Sequence, residues 1–278
     1  VDDCGQAVAG HYARSGLGEA ILEALRAAGR DPERLDPDDL AAVDEFHIRG
    51  REATEELAAL AGFGPGDRVL DVGCGIGGAS RLLARTCGCR VTGLDLTEEY
   101  CRTATMLAAR AGLADRVGYR HGDALAMPFE DASFDGVWTQ HVSMNIPDKP
   151  RLCAEMRRVL RPGGRAALYE LVAAQVGAAL HYPVPWARRA EISFVATEPE
   201  LRAALAGAGF RIAQRRDVTQ AGTEWFARML ERGRTAGPPP LGLHLLMGAD
   251  FAPMAANVLR NLEEGRIRIL QVIADAAD

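Results

Sequence analysis

Residues 69–78 read Val-Leu-Asp-Val-Gly-Cys-Gly-Ile-Gly-Gly, and this stretch decides the fold. An apolar run ends in Asp71, a glycine-rich turn follows, and a helical pattern begins at Gly78. A strand, a tight turn and a helix in that order bring the backbone close to a bound nucleoside. The glycines parse in two ways. Gly73, Gly75 and Gly78 fit G-x-G-x-x-G, the dinucleotide fingerprint, whereas Gly73, Gly75 and Gly77 fit G-x-G-x-G, a turn that opens a nucleoside pocket.

Outward from this point the apolar period alternates. Short strands are predicted at Arg68–Val72, Arg90–Leu94, Val117–His121, Phe134–Trp138 and Ala166–Leu171, with helices at Gly78–Arg85, Glu98–Ala111 and Lys149–Leu160 between them. A helix at Glu198–Ala208 and a strand at Phe210–Val218 continue the series, and Arg266–Ile273 reads as a seventh strand. Strands and helices alternating at this spacing imply an α/β fold: a doubly wound, mostly parallel, seven-stranded Rossmann-like sheet covered on both faces. The chain then divides into four stretches. Residues 1–66, helical in pattern, form an N-terminal lid. Residues 67–218 form the α/β core, with a lid insertion at about 172–196. Residues 219–264 form a helical cap, and 265–278 return to the sheet.

Composition removes several functions. The 278 residues are 48% hydrophobic and 25% charged, as in globular domains. The net charge of −6 argues against a general grip on nucleic acid. No apolar run reaches the ~18 residues needed to cross a bilayer, and the N-terminus lacks the plan of a secretory signal, so a cytoplasmic location is expected. The six cysteines are scattered, and Cys87-Gly-Cys89 has no second ligand pair; reduced structural thiols and no metal are expected.

Three carboxylates speak to the ligand. Asp71 at a strand tip would repel a pyrophosphate and suits a cationic ligand. Asp95, at the end of the second strand, can accept both ribose hydroxyls of NAD or of an adenosyl ligand. Asp123, after the third strand, stands beside the position of an adenine edge. The segments DVGCGIGG, GLDL, GDALAMPF, SFDGVW and RVLRPGG, in this order and spacing, resemble the class I S-adenosylmethionine-dependent methyltransferases from about Asp44 to Phe210. Within that superfamily WTQHVSMNIPDKP, DEFHIRGREAT and the helical insertion starting at Glu224-Trp225-Phe226 are similar to the small-molecule branch with sarcosine/dimethylglycine, tocopherol and quinone-ring methyltransferases.

The resemblance implies S-adenosylmethionine as cofactor, S-adenosylhomocysteine as product and a small-molecule N or O acceptor methylated in line. It implies that Asp71, Gly73 and Gly75 frame the methionine end, Asp95 and Leu96 the ribose, and Asp123 and Ala124 the adenine. Gln140 would add a backbone or amide contact, and His47 or Arg51 would meet the methionine carboxylate. On the acceptor side His141 is the candidate base, since imidazole titrates near neutrality, or else a hydrogen-bonding group for lid or substrate. Asn145 would orient a substrate oxygen or cap the next helix. Tyr12, Tyr169, Tyr182, Trp186 and Trp225 are candidate pocket walls, or packing within lid and cap. Tyr169 and Glu170 are expected to face opposite ways, one to the rim and one to solvent. Arg188-Arg189 reads as a solvated face or a contact for an acidic substrate. An NAD-linked oxidoreductase and a non-catalytic or repurposed S-adenosylmethionine binder are the alternative functions; a monomer or homodimer is expected.

Overall fold

The computed structural model describes residues 3–237 and 240–277. Seven strands make one sheet: β1 (Arg68–Val72), β2 (Arg90–Asp95), β3 (Val117–His121), β4 (Phe134–Gln140), β5 (Leu160–Ala173), β6 (Phe210–Asp217) and β7 (Ile267–Ala276). Their order is β3-β2-β1-β4-β5-β7-β6. Strands β1 to β5 pair in parallel, and β7 runs antiparallel between β5 and β6.

Continuous apolar runs form these strands because both faces are covered. In β1, Val69 belongs to one core and Leu70 to the other. In β5, Ala167, Tyr169 and Leu171 face the first core while Leu168 and Val172 face the second. Period-two alternation therefore carries no polar face to read.

Eleven helices surround the sheet among the described residues: α1 (Asp3–Tyr12), α2 (Leu17–Ala27), α3 (Ala41–Asp44), α4 (Gly50–Ala61), α5 (Gly78–Thr86), α6 (Glu98–Arg110), α7 (Lys149–Val159), α8 (Glu198–Gly207), α9 (Thr219–Ala236), α10 (His244–Met247) and α11 (Phe251–Glu263). Helix α7 starts with the Asp148 side chain accepting from Arg151 N at 2.8 Å, and Pro150 stands in its first turn. Helix α8 starts with a capping box between Thr197 and Glu200.

Three features differ from the sequence reading. Helix α4, within the expected 1–66 lid, packs on β5 and β7 through Ala53, Leu57 and Ala61 and belongs to the sheet's cover. Strand β5 continues to Ala173, and in the lid that follows the helical structure is the single 3₁₀ turn Ala190–Ile192. The N-terminal helices and the cap are one body: Leu17, Ile21 and Leu25 share a core with Leu246, Met247 and Met254.

The strand order reverses between β1 and β4. At such a switch point the flanking connections leave in opposite directions and open a crevice at the carboxyl ends of the strands. The ends of β1, β2 and β4 carry Asp71, Asp95 and Gln140, so the sheet itself assembles the site.

Candidate functional site

The glycine turn settles how the crevice is floored. Gly73, Gly75 and Gly77 all have left-handed φ, at 70°, 55° and 84°. Side chains rarely adopt that conformation. A Cβ on Gly73 would overlap Val142, and one on Gly77 would overlap the Tyr119 ring, whereas at Gly75 there is open space. Gly78 is different. It is the first residue of α5, outside the left-handed region, and a Cβ there would overlap Asp44. Asp44 itself pairs with the buried Arg81. An acidic side chain and its carbonyl thus occupy the approach to the α5 N-terminus, where a dinucleotide would place its pyrophosphate. The G-x-G-x-G parse is the one the backbone follows.

Two cavities that share the walls Tyr12, Phe46, His47 and His141 lie along the carboxyl edge. The larger, about 180 Å³, is lined by the glycine turn and by most of the expected cofactor residues: Asp71, Gly73, Gly75, Asp95 and Leu96 on one side, and Asp123, Ala124 and Gln140 on the other. Asp71 is buried, accepts a 2.6 Å hydrogen bond from Ser80 Oγ, and its carboxyl is pushed up to about 7 by burial. A desolvated carboxyl of this kind is ready for a cation, which restores its charge. Asp95 accepts Gly75 N at 2.9 Å and Thr97 N at 2.8 Å, so both oxygens are fixed before any ligand arrives. The Gly73 and Cys74 amides both donate to Leu94 O, hanging the turn from the end of β2. Asp123 Oδ1 accepts Leu125 N at 2.8 Å.

His47 lines both cavities. Its Nε2 lies 3.1 Å from Glu45 Oε2 and 3.0 Å from Thr54 Oγ1. Burial works against the charge of Glu45, yet the hydrogen bonds from His47 and Thr54 hold its carboxyl below the usual range. Arg51 stands elsewhere. Helix α4 turns it toward Asp38 and Glu45, away from both cavity walls, so it does not reach the place where a methionine carboxylate was expected.

The smaller cavity, about 50 Å³, lies between the exit of β4, the lid and the cap. His141 stands at the wall it shares with the larger one. The residue has φ 52° and is held by Tyr169 O, which accepts its amide at 2.7 Å. The imidazole stacks on the Tyr169 ring, with centroids 5.0 Å apart and planes 6° from parallel. Neither ring nitrogen bonds to a protein group among the described residues, and Nε2 is shielded from water with no partner. Burial, then the nearby His47, hold the pKa of His141 well below the ordinary imidazole value. It is a neutral, uncommitted ring at the meeting point of two cavities.

Asn145 lines the larger cavity, but its amide is spent on the lid. Its Oδ1 accepts Tyr12 OH at 2.9 Å, and Nδ2 donates to Trp186 O at 2.8 Å and Ile192 O at 3.2 Å. The Tyr12 ring lines both cavities, and Trp186 and Trp225 line the smaller.

Two expected wall residues are misplaced. Tyr169 is 0% exposed behind His141 and reaches neither cavity, because α4 covers that face of β5. Tyr182 is half-buried against the first core, away from the cavities. Glu170, expected to alternate with Tyr169 between rim and solvent, is also 0% exposed. It accepts Thr139 Oγ1 at 3.1 Å and Ser143 N and Oγ at 3.1 and 2.7 Å, fixing the loop that carries His141. Arg188 pairs with Asp250 and Arg189 lies 3.9 Å from Glu191, all four exposed. Met144, a candidate wall residue, lines the smaller cavity; sequence reading passed over Phe46, Leu171 and Phe251, which also line it and carry no local signal beyond being apolar. No group of three or more potential metal ligands is present among the described residues.

The comparisons with known proteins agree with this geometry. A family model described as a methyltransferase domain matches residues 70–168, the stretch from β1 through most of β5. The 27-O-demethylrifamycin SV methyltransferase of Amycolatopsis mediterranei is 32% identical over 197 residues, 70% of this chain and 71% of that protein. The methyltransferase GfsG of Streptomyces halstedii is 37% identical over 134 residues, and the match spans 48% of this chain and about half, 48%, of that relative. The solved geranyl diphosphate C-methyltransferase of Streptomyces coelicolor shares the fold, with a TM-score of 0.73 at 20% identity over 100% of this chain and 99% of that one. With a glycine turn that follows the G-x-G-x-G parse and a relative matched over most of both chains, the protein belongs to the class I S-adenosylmethionine-dependent methyltransferases.

Proposed function

We propose that this protein transfers a methyl group from S-adenosylmethionine to a hydroxyl or amine of a small molecule, with His141 receiving the acceptor's proton. The observation that carries the reading is the neutral, unpartnered imidazole at the wall common to both cavities. The larger cavity suits the cofactor. Asp71 offers a desolvated carboxyl to an ammonium, Asp95 offers preset oxygens to vicinal hydroxyls, and Gly75 leaves open space for close approach. When bound, the cofactor supplies an electrophilic methyl carbon on a positively charged sulfur.

The chain's own residues then have three tasks. Tyr12, Phe46 and Trp186 close the acceptor side and exclude water. Tyr169 and Glu170 hold the His141 ring and its loop, so the acceptor atom is aligned with the methyl carbon before reaction. His141 accepts the proton that a hydroxyl must lose as its oxygen forms the new bond to carbon, and the imidazolium formed releases it to solvent after the product leaves. A neutral amine needs only to shed its proton afterwards. Within this reading the enzyme works in the cytoplasm, as a monomer or homodimer, on a diffusible acceptor and without nucleic acid. The described residues contain no helix long and apolar enough to cross a membrane.

His141→Ala is expected to lower kcat on a hydroxyl acceptor by about 10²–10⁴-fold, with the Kd for S-adenosylhomocysteine kept within about threefold. Parallel losses in both would make His141 a cofactor ligand. Binding of S-adenosylmethionine without methyl transfer to any phenol or amine would favour a repurposed binder. Selective binding of nicotinamide dinucleotide would favour the oxidoreductase.

A further inference from the structure

We propose that the acceptor is an uncharged, largely apolar molecule that presents one hydroxyl to His141, and that zwitterionic methylamines and phosphorylated acceptors are refused. The inference rests on the methyl-transfer reading and narrows its acceptor. Fifteen residues line the smaller cavity, and among these described residues none is Asp, Glu, Lys or Arg. The nearest charges are already answered elsewhere: Glu45 stands behind His47, Arg49 pairs with Glu52 and Glu56, and Arg188 pairs with Asp250.

The polar atoms of the wall can be accounted for one by one. Tyr12 OH donates to Asn145, and Trp186 Nε1 donates to Ser193 Oγ at 2.9 Å. His47 Nε2 is engaged with Glu45 and Thr54. The His141 Nε2 remains without a protein partner among the described residues. A ligand can therefore place one hydroxyl donor on the imidazole, and the rest of the wall offers mainly aromatic and aliphatic carbon with the thioethers of Met144 and Met229.

A carboxylate or phosphate buried here would face no cation. An ammonium could lie against the rings of Trp186, Trp225, Phe226 and Phe251. It would, however, sit beside a sulfonium of like charge with no carboxylate on the wall, and a protonated amine has no lone pair to attack with. Either charge should weaken binding by at least about a hundredfold relative to a neutral ligand of the same shape.

The test uses the full chain saturated with sinefungin, which carries an ammonium where the donor has its sulfonium and transfers no methyl, and three probes on one skeleton: 4-butylphenol, its ω-carboxylate and its ω-trimethylammonium derivative. Binding is read by calorimetry and by quenching of tryptophan fluorescence. The expected result is that 4-butylphenol binds at least about a hundredfold more tightly than either charged member. A charged member that binds equally well or better overturns the proposal, and so does failure of the neutral phenol to bind. Met229→Lys, on the cap side of the wall, should reverse the order toward the carboxylate, and a retained thermal shift with S-adenosylhomocysteine would show that this variant is folded. An unchanged order in the folded variant would overturn the assignment of this cavity to the acceptor. Binding is independent of turnover, so a phenol that binds in this order yet is never methylated overturns the methyl-transfer reading and leaves the acceptor class standing.

Discussion

In the proposed reading Asp71 concentrates the physics of the larger cavity in one carboxyl group. With burial raising its pKa from 3.8 to about 7, the folded, ligand-free chain keeps a proton that the unfolded chain gives up above about pH 4. Between those two values the native state binds the extra proton, so this residue's contribution makes stability fall as pH rises through that window. A bound ammonium reverses the preference, because it selects the ionised form. Cofactor affinity should then drop by up to about tenfold per unit below pH 7 and level off above it, with proton release on binding at pH 6. Calorimetry in buffers of different ionisation enthalpy measures both quantities; Asp71→Asn should weaken binding and flatten the profile. The glycines of the turn separate two roles that look alike in the sequence. Gly73→Ala meets Val142 in a left-handed conformation and should cost the fold about 3 kcal/mol or more by urea denaturation. Gly75→Ala carries the same kind of conformation into open space. It should cost about 1–2 kcal/mol in stability, yet lower cofactor affinity sharply because its methyl group enters the cleft.

At the scale of elements, the loop between β4 and α7 is the hinge-pin of the acceptor side. Phe194 N donates to Met144 O at 2.6 Å, Lys149 Nζ donates to Phe194 O at 2.6 Å, and Asn145 reaches two lid carbonyls and Tyr12. Asn145→Ala removes three of these bonds and should destabilise the protein by on the order of 2–3 kcal/mol, with a raised KM for the acceptor. A role confined to orienting substrate would lower turnover and leave the denaturation midpoint unmoved. These ties also explain what could be read in advance. The strands and the carboxylates that line the larger cavity were legible because each is written in a few consecutive residues: an apolar run, then a glycine or an aspartate at its end. The misplaced residues depended on packing. Tyr169 and Glu170 alternate across β5, but α4 covers one side and the Ser143 loop the other, so alternation did not mean exposure. Arg51 follows the face of α4 and not the charge of an absent carboxylate. The apolar wall also draws Phe46, Leu171, Phe251 and Val258 from distant segments, which no local pattern announces.

For the molecule as a whole, the N-terminal helices, the lid and the cap should move together. Arg14 donates to the Leu246 and Met247 carbonyls at 2.8 Å each, His11 Nε2 lies 2.8 Å from Pro185 O, and α2 shares its core with α10 and α11. Saturation with S-adenosylhomocysteine is therefore expected to slow amide exchange in residues 3–44 and 241–262 in concert, as one cooperative unit. Deleting residues 1–15 should speed exchange in the cap while α5 to α8 stay protected; hydrogen exchange read by mass spectrometry checks both, and an unaffected cap would mean that the two ends are independent.

Strand β7 sits between β5 and β6 but follows β6 by the 49 residues 218–266. On the ribosome this order leaves β6 with no neighbour to pair with until residues 267–276 have emerged. A nascent chain paused within the cap would thus display two unsatisfied strand edges, the kind of surface that recruits chaperones or seeds aggregation. A stop codon anywhere from 218 to 266 removes two strands from the sheet, although it deletes the code for only one.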